Sequence, residues 1–160
     1  MGLSEDLRQS YRPAIIVALA VLASLAVYIV LALLLKASHP RQPALVSRST
    51  AYVLRLAFYG AAILQVIVIR LMRGVFFRPA PGLDARALGR RLMLVSIFTS
   101  AFSEVPALLG FVLFLIAGLT WDLCVLVFVS LVLVFMFFPR FAYWEQWAAE
   151  QMALPPPPKA

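Results

Sequence analysis

The chain has 160 residues, 64% of them hydrophobic and 13% charged, with a mean hydropathy of +0.96 and a formal net charge of +7. A water-soluble fold of this size, typically about half apolar and about a quarter charged, cannot hide so much apolar surface, so lipid must be the solvent. The basic balance does not indicate nucleic acid, because no basic patch interleaved with aromatics lies outside the apolar runs, and a lone Cys124 excludes an internal disulfide or a cysteine-based metal site.

In chain order, the first apolar run is Ala14 to Leu35, long enough at 1.5 Å per residue to cross roughly 30 Å of hydrocarbon. Arg8 and Arg12 precede it as in a signal peptide, but a signal's apolar stretch is only about 7–15 residues, and Leu34-Leu35-Lys36 is no small-residue cleavage site. The run therefore reads as a retained anchor. Pro40 and Pro43 break the pattern, and Ser47, Ser49 or Thr50 is placed to cap the next helix. The second span is predicted over 51–72. A polar stretch with Arg73, Arg78, Pro79, Pro81, Arg86, Arg90 and Arg91 follows, in which Asp84 is a candidate cap for a short lead-in to the third helix. The third span is predicted over 92–119 and the fourth over 123–138, joined by a minimal link, with Pro139 and Arg140 marking an end or a bend.

After that bend, Phe141, Trp144, Trp147 and Ala148 share one face of a helix over 140–152. Aromatic residues favour the headgroup layer, so Trp121, Phe141, Tyr143, Trp144 and Trp147 are expected to be interfacial anchors. The tail 154–160 is Pro-rich, polyproline-like and expected to be disordered. The predicted fold class is all-α: an integral membrane antiparallel four-helix bundle with a C-terminal interfacial amphipathic helix, forming one domain over 1–153.

Placing both termini and the second loop on one side puts Arg8, Arg12, Arg70, Arg73, Arg78, Arg86, Arg90, Arg91, Arg140 and Lys159 there, leaving Lys36, Arg41, Arg48 and Arg55 on the other. The bias predicts an inner (plasma) membrane protein with both termini cytoplasmic.

The chemically informative residue is Glu104, in the middle of the third span. A charged group at the bilayer centre costs at least about 2.5–3.5 kcal/mol, and a short side chain far from both helix ends cannot reach the surface, so Glu104 must face protein or a cavity. Ser96, Ser100, Ser103, Ala107, Gly110 and Ala117 form a stripe of small residues that lets a neighbouring helix approach closely, and Glu104 flanks it. Pro106 has no N–H, so the carbonyl of Phe102 loses its helical partner. Glu104 with Phe102, Ser100 and Ser103 is thus a candidate proton or ion site, and Gln65, the other polar residue well inside a span, is a plausible partner. Arg55 lies nearer the surface and is expected to snorkel.

The stretch 101–115, Ala-Phe-Ser-Glu-Val-Pro-Ala-Leu-Leu-Gly-Phe-Val-Leu-Phe-Leu, resembles the carboxylate helix of the rotary ATP synthase c-subunit (proteolipid) family. The resemblance implies an ion-binding carboxylate at Glu104. It is confined to this helix; where the family's partner helix carries closely spaced glycines, the second span has Gly60 alone.

Other chemistries lack their residues. The single histidine, His39, lies in a loop, so a bis-histidine haem within one chain, a His-rich metal site and a Ser-His-Asp triad are excluded. Gly74, Gly82 and Gly89 do not form a phosphate loop. The expectation is a non-enzymatic protein without cofactor or metal, whose partners are the bilayer and either further copies of itself or a larger membrane complex. Two functions stand: an accessory or assembly subunit using Glu104 as an interhelical hydrogen-bonding group, and a proton- or cation-binding transport element. A third, a lipid- or drug-handling protein, requires an amphipathic cavity.

Overall fold

The computed structural model describes residues 3–39, 45–77 and 84–153. The prolines at 40 and 43, the loop residues 78–83 and the Pro-rich tail 154–160 lie outside the described residues. The chain is all-α: α1 Leu3–Ser38, α2 Arg48–Phe76, α3 Ala85–Ala117, α4 Thr120–Met136 and α5 Phe141–Ala153. The first three are long and apolar enough to cross a membrane, and α4 with α5, bent by 49° at their junction, makes a fourth crossing if the pair is one broken span.

Three helices outrun their apolar stretches. The 36 residues of α1 extend to about 54 Å, well beyond the hydrocarbon thickness. The excess is an amphipathic lead-in whose Leu7 is fully buried. Ser47 caps α2, its side chain accepting the Thr50 N–H at 3.3 Å, and Asp84 caps α3 by accepting the Ala87 N–H at 3.0 Å. Asp84 caps α3 itself, with no separate lead-in. Gly118 ends α3 in the left-handed region at φ 68°, its N–H returning to the Phe114 carbonyl at 2.9 Å. Leu45 adds a tie from the first loop, donating its N–H to the Ile116 carbonyl at 2.9 Å.

The hub of the assembly is α3, which packs against all four other helices, whereas α1 and α2 do not pack together among the described residues. Two apolar clusters fix the directions. Leu7 and Ala14 of α1 meet Leu88 and Leu92 of α3 and Trp144, Trp147 and Ala148 of α5. Further along, Leu25 and Ala32 of α1 meet Ala107 and Phe114 of α3 and Leu123 and Val127 of α4. Thus α1 and α3 run in parallel, while α4 returns antiparallel to α3.

Close helix contact explains two glycines. A Cβ on Gly110 would lie 2.9 Å from the Leu126 Cβ and 3.2 Å from the Leu123 Cα, and one on Gly89 would lie 2.8 Å from the Ser10 Oγ. Gly110 therefore sets the α3–α4 spacing, and Gly89 the approach of α1 to α3.

The aromatic face of α5 differs from expectation. Trp144, Trp147 and Ala148 are buried in the bundle's own core rather than displayed to headgroups. The α1 lead-in covers them: Tyr11 packs edge-on against Phe141 and Trp144 and donates its hydroxyl to the Pro139 carbonyl at 3.0 Å. Phe77 packs edge-on against Trp147. Two large rings are thereby buried within the chain against aromatic partners. Tyr143 and Trp121 are exposed, Trp121 at 75%.

Candidate functional site

Midway along α3, Glu104 turns toward α1. Its Oε1 accepts two hydroxyls from that helix, Ser24 Oγ at 2.6 Å and Tyr28 Oη at 2.6 Å. Ser24 and Tyr28 lie four residues apart on α1, hence on one face, and so they meet the same oxygen. The Tyr28 ring is fixed by stacking on Phe111, with centroids 5.5 Å apart. Both are short O–H···O bonds. Interhelical side-chain bonds in membranes average about 0.6 kcal/mol, with a ceiling near 2 kcal/mol, so this pair fixes register more than it supplies stability.

A second feature is the hydrogen count. Ser24 Oγ also lies 2.7 Å from the Val21 carbonyl, yet a hydroxyl carries one hydrogen. No donor among the described residues reaches Glu104 Oε2.

The small-residue seam faces elsewhere. Ser103 is fully buried and donates back to the Thr99 carbonyl at 2.8 Å, and the Ala107 N–H is received by Ser130 Oγ of α4 at 2.9 Å. Ser103, Ala107 and Gly110 therefore belong to the α3–α4 side. Ser100 is also buried, Ser96 and Phe102 are half-buried, and Ala117 lies near the far end beside Arg48 and Arg55. Of the residues grouped with Glu104 by sequence, neither Ser100 nor Ser103 bonds it. The helix continues through Pro106, itself fully buried.

Gln65 does not partner Glu104. It is buried on α2, and both its amide atoms lack a hydrogen-bond partner. The reason is topological: Glu104 points to α1, and α1 does not pack against α2.

Sequence reasoning passed over another carboxylate, more deeply buried than Glu104. Asp122, in the first turn of α4, has a side chain 3% exposed and accepts Arg55 Nε at 2.8 Å and Tyr59 Oη at 2.9 Å. Arg55 is thus paired rather than snorkelling alone. Its guanidinium also lies 5.9 Å from the Tyr59 ring centroid. The signal was present: Arg55 and Asp122 each lie within the first turns of a helix that begins on the same side. Asp122 also stands where α4 has no side-chain cap, so its charge complements the helix N-terminus. Two polar struts therefore cross the bundle, one joining α1 to α3 and one joining α2 to α4.

Among the described residues no group of three or more His, Cys, Asp or Glu is arranged to hold a metal ion. Cys124 is exposed and unbonded. No family model matches the chain, and neither a curated protein nor a solved structure shows significant similarity to it.

Proposed function

We propose that this chain is a non-enzymatic accessory or assembly subunit of a membrane complex. It crosses the inner membrane four times with both termini cytoplasmic, and α5 closes the cytoplasmic end. Glu104 acts as an interhelical hydrogen-bonding group that holds α1 in register on α3. The observation that carries this reading is the use of Glu104 Oε1 by two hydroxyls of the same chain. A carboxylate that exchanges an ion during transport needs its ligands free to leave, whereas these are fixed by helix spacing and ring stacking. Asp122 is committed in the same manner. Extraction in mild detergent followed by affinity purification tests the reading. A defined set of co-purifying membrane proteins is expected; a monodisperse lone monomer from native membranes would contradict it.

The hydrogen count favours a second reading, a proteolipid-like proton site. If the carboxyl carries a proton on Oε1 and gives it to Ser24 Oγ, the Ser24 hydrogen is free for Val21 O, and the Tyr28 hydroxyl still donates to Oε1. Every hydroxyl hydrogen then has one acceptor. Carbodiimide labelling of Glu104 in native membranes tests this, since the reagent attacks a protonated carboxyl that it can reach. Labelling that declines as the pH is raised supports a titrating site, and labelling absent at every pH removes it.

A further inference from the structure

At the end of the bundle where α2 and α4 stop, the 49° bend into α5 leaves a cavity of about 340 Å³. Arg73, from the last turn of α2, and Arg140, from the α4–α5 link, both line it. Arg73 is half-buried, with its guanidinium 5.2 Å from the Phe77 ring centroid and 4.9 Å from that of Phe137. Among the described residues no carboxylate pairs with either arginine, in contrast to Arg55. A partly desolvated cation retains an unmet demand for negative charge, which ring faces meet only in part, at about 0.5–2 kcal/mol.

Guanidinium groups suit phosphate, because their planar forks offer parallel N–H donors to two oxygens. The remaining lining is amphipathic. Tyr143, 47% exposed, presents a ring of the kind that favours headgroup depth, and Met136, 52% exposed, borders the cavity on the bundle's surface. A soluble anion has no use for that apolar border, whereas a phospholipid has acyl chains to lay along it.

We propose that this cavity is a binding site for the phosphate headgroup of an anionic membrane lipid. Arg73 and Arg140 hold the phosphate oxygens, and the acyl chains leave past Met136 into the hydrocarbon. Basic pockets between membrane helices are a recurring setting for such headgroups. This site is separate from Glu104 and does not depend on the function proposed above.

The full chain, purified in mild detergent, is titrated with phosphatidylglycerol or with phosphatidylcholine of the same acyl chains, and bound lipid is counted by native mass spectrometry. One phosphatidylglycerol is expected to be retained in preference to phosphatidylcholine. The double variant R73Q/R140Q is expected to bind it about tenfold more weakly or worse, while R12Q/R70Q, which removes two arginines outside the cavity, matches wild type. R73K/R140K is expected to keep part of the binding. Inorganic phosphate that binds alone and displaces the lipid would make this a free-anion site and overturn the lipid assignment. Equal retention of the two lipids, or undiminished binding by R73Q/R140Q, would overturn the proposal outright. If R73Q/R140Q does not fold, headgroup discrimination by wild type and by R73K/R140K decides.

Discussion

Removing Arg55 should destabilise the bundle more than neutralising Asp122, although both changes break the same ion pair. The two partners differ in exposure: the Arg55 side chain is 46% exposed and that of Asp122 only 3%. In Arg55→Met, a carboxylate stays buried with one neutral donor, Tyr59 Oη at 2.9 Å. Stranding a buried charge costs about 3–5 kcal/mol; screening at the more exposed arginine reduces this toward about 2–3 kcal/mol. In Asp122→Asn, the amide oxygen still accepts from Tyr59, and Arg55 can turn to water or headgroups. That variant loses the difference between a charge-assisted and a neutral bond, about 1 kcal/mol, and a helix-terminus contribution of about 0.5 kcal/mol. The double variant R55M/D122N removes both charges and should be less destabilised than R55M alone. Unfolding in mixed micelles, titrated with sodium dodecyl sulfate and followed by circular dichroism, gives all three values. Equal losses in the two single variants, or strict additivity in the double, would refute the claim that Asp122 is a buried charge held by Arg55.

Gln65→Leu is expected to raise stability by about 1 kcal/mol in the same titration, because it removes a buried amide whose two polar atoms make no bond; a loss of stability would contradict the side chain's placement. Gly110→Leu should cost about 1–3 kcal/mol through overpacking, since even its Cβ would lie 2.9 Å from Leu126 Cβ, whereas Gly60→Leu, with nothing within 4 Å of its Cβ, should cost nothing. Equal behaviour of the two glycine variants would mean that α3 and α4 are not in close contact at Gly110.

The membrane class follows from the sequence because apolar run length is a local property set by bilayer thickness. Helix ends were legible in part: Ser47 was one of three candidate caps for α2, and Asp84 caps α3 itself rather than a short lead-in to it. Partners across the bundle were not readable, because they depend on which helices adjoin. Gln65 and Glu104 lie at compatible depths, but α1 rather than α2 occupies the face that Glu104 presents. The four-residue spacing of Ser24 and Tyr28 puts two hydroxyls on one face of α1, but the sequence does not say which helix that face meets. The α5 aromatics illustrate the opposite limit. Their shared face was legible, but whether it meets lipid or protein depended on the α1 lead-in, which folds over them through Leu7 and Tyr11.

The most direct test of the proposed role of Glu104 is proton flux through proteoliposomes holding purified wild type or Glu104→Gln, read with an internal pH-sensitive dye under an imposed potential. Glutamine keeps an oxygen that can accept from Ser24 and Tyr28 but cannot exchange a proton. A structural Glu104 predicts the same low flux for both proteins, equal to that of protein-free vesicles, with Glu104→Gln recovered folded and bound to the same co-purifying proteins as wild type. Substantial flux through wild type that vanishes in a folded Glu104→Gln would contradict the assembly reading and make Glu104 a transport carboxylate.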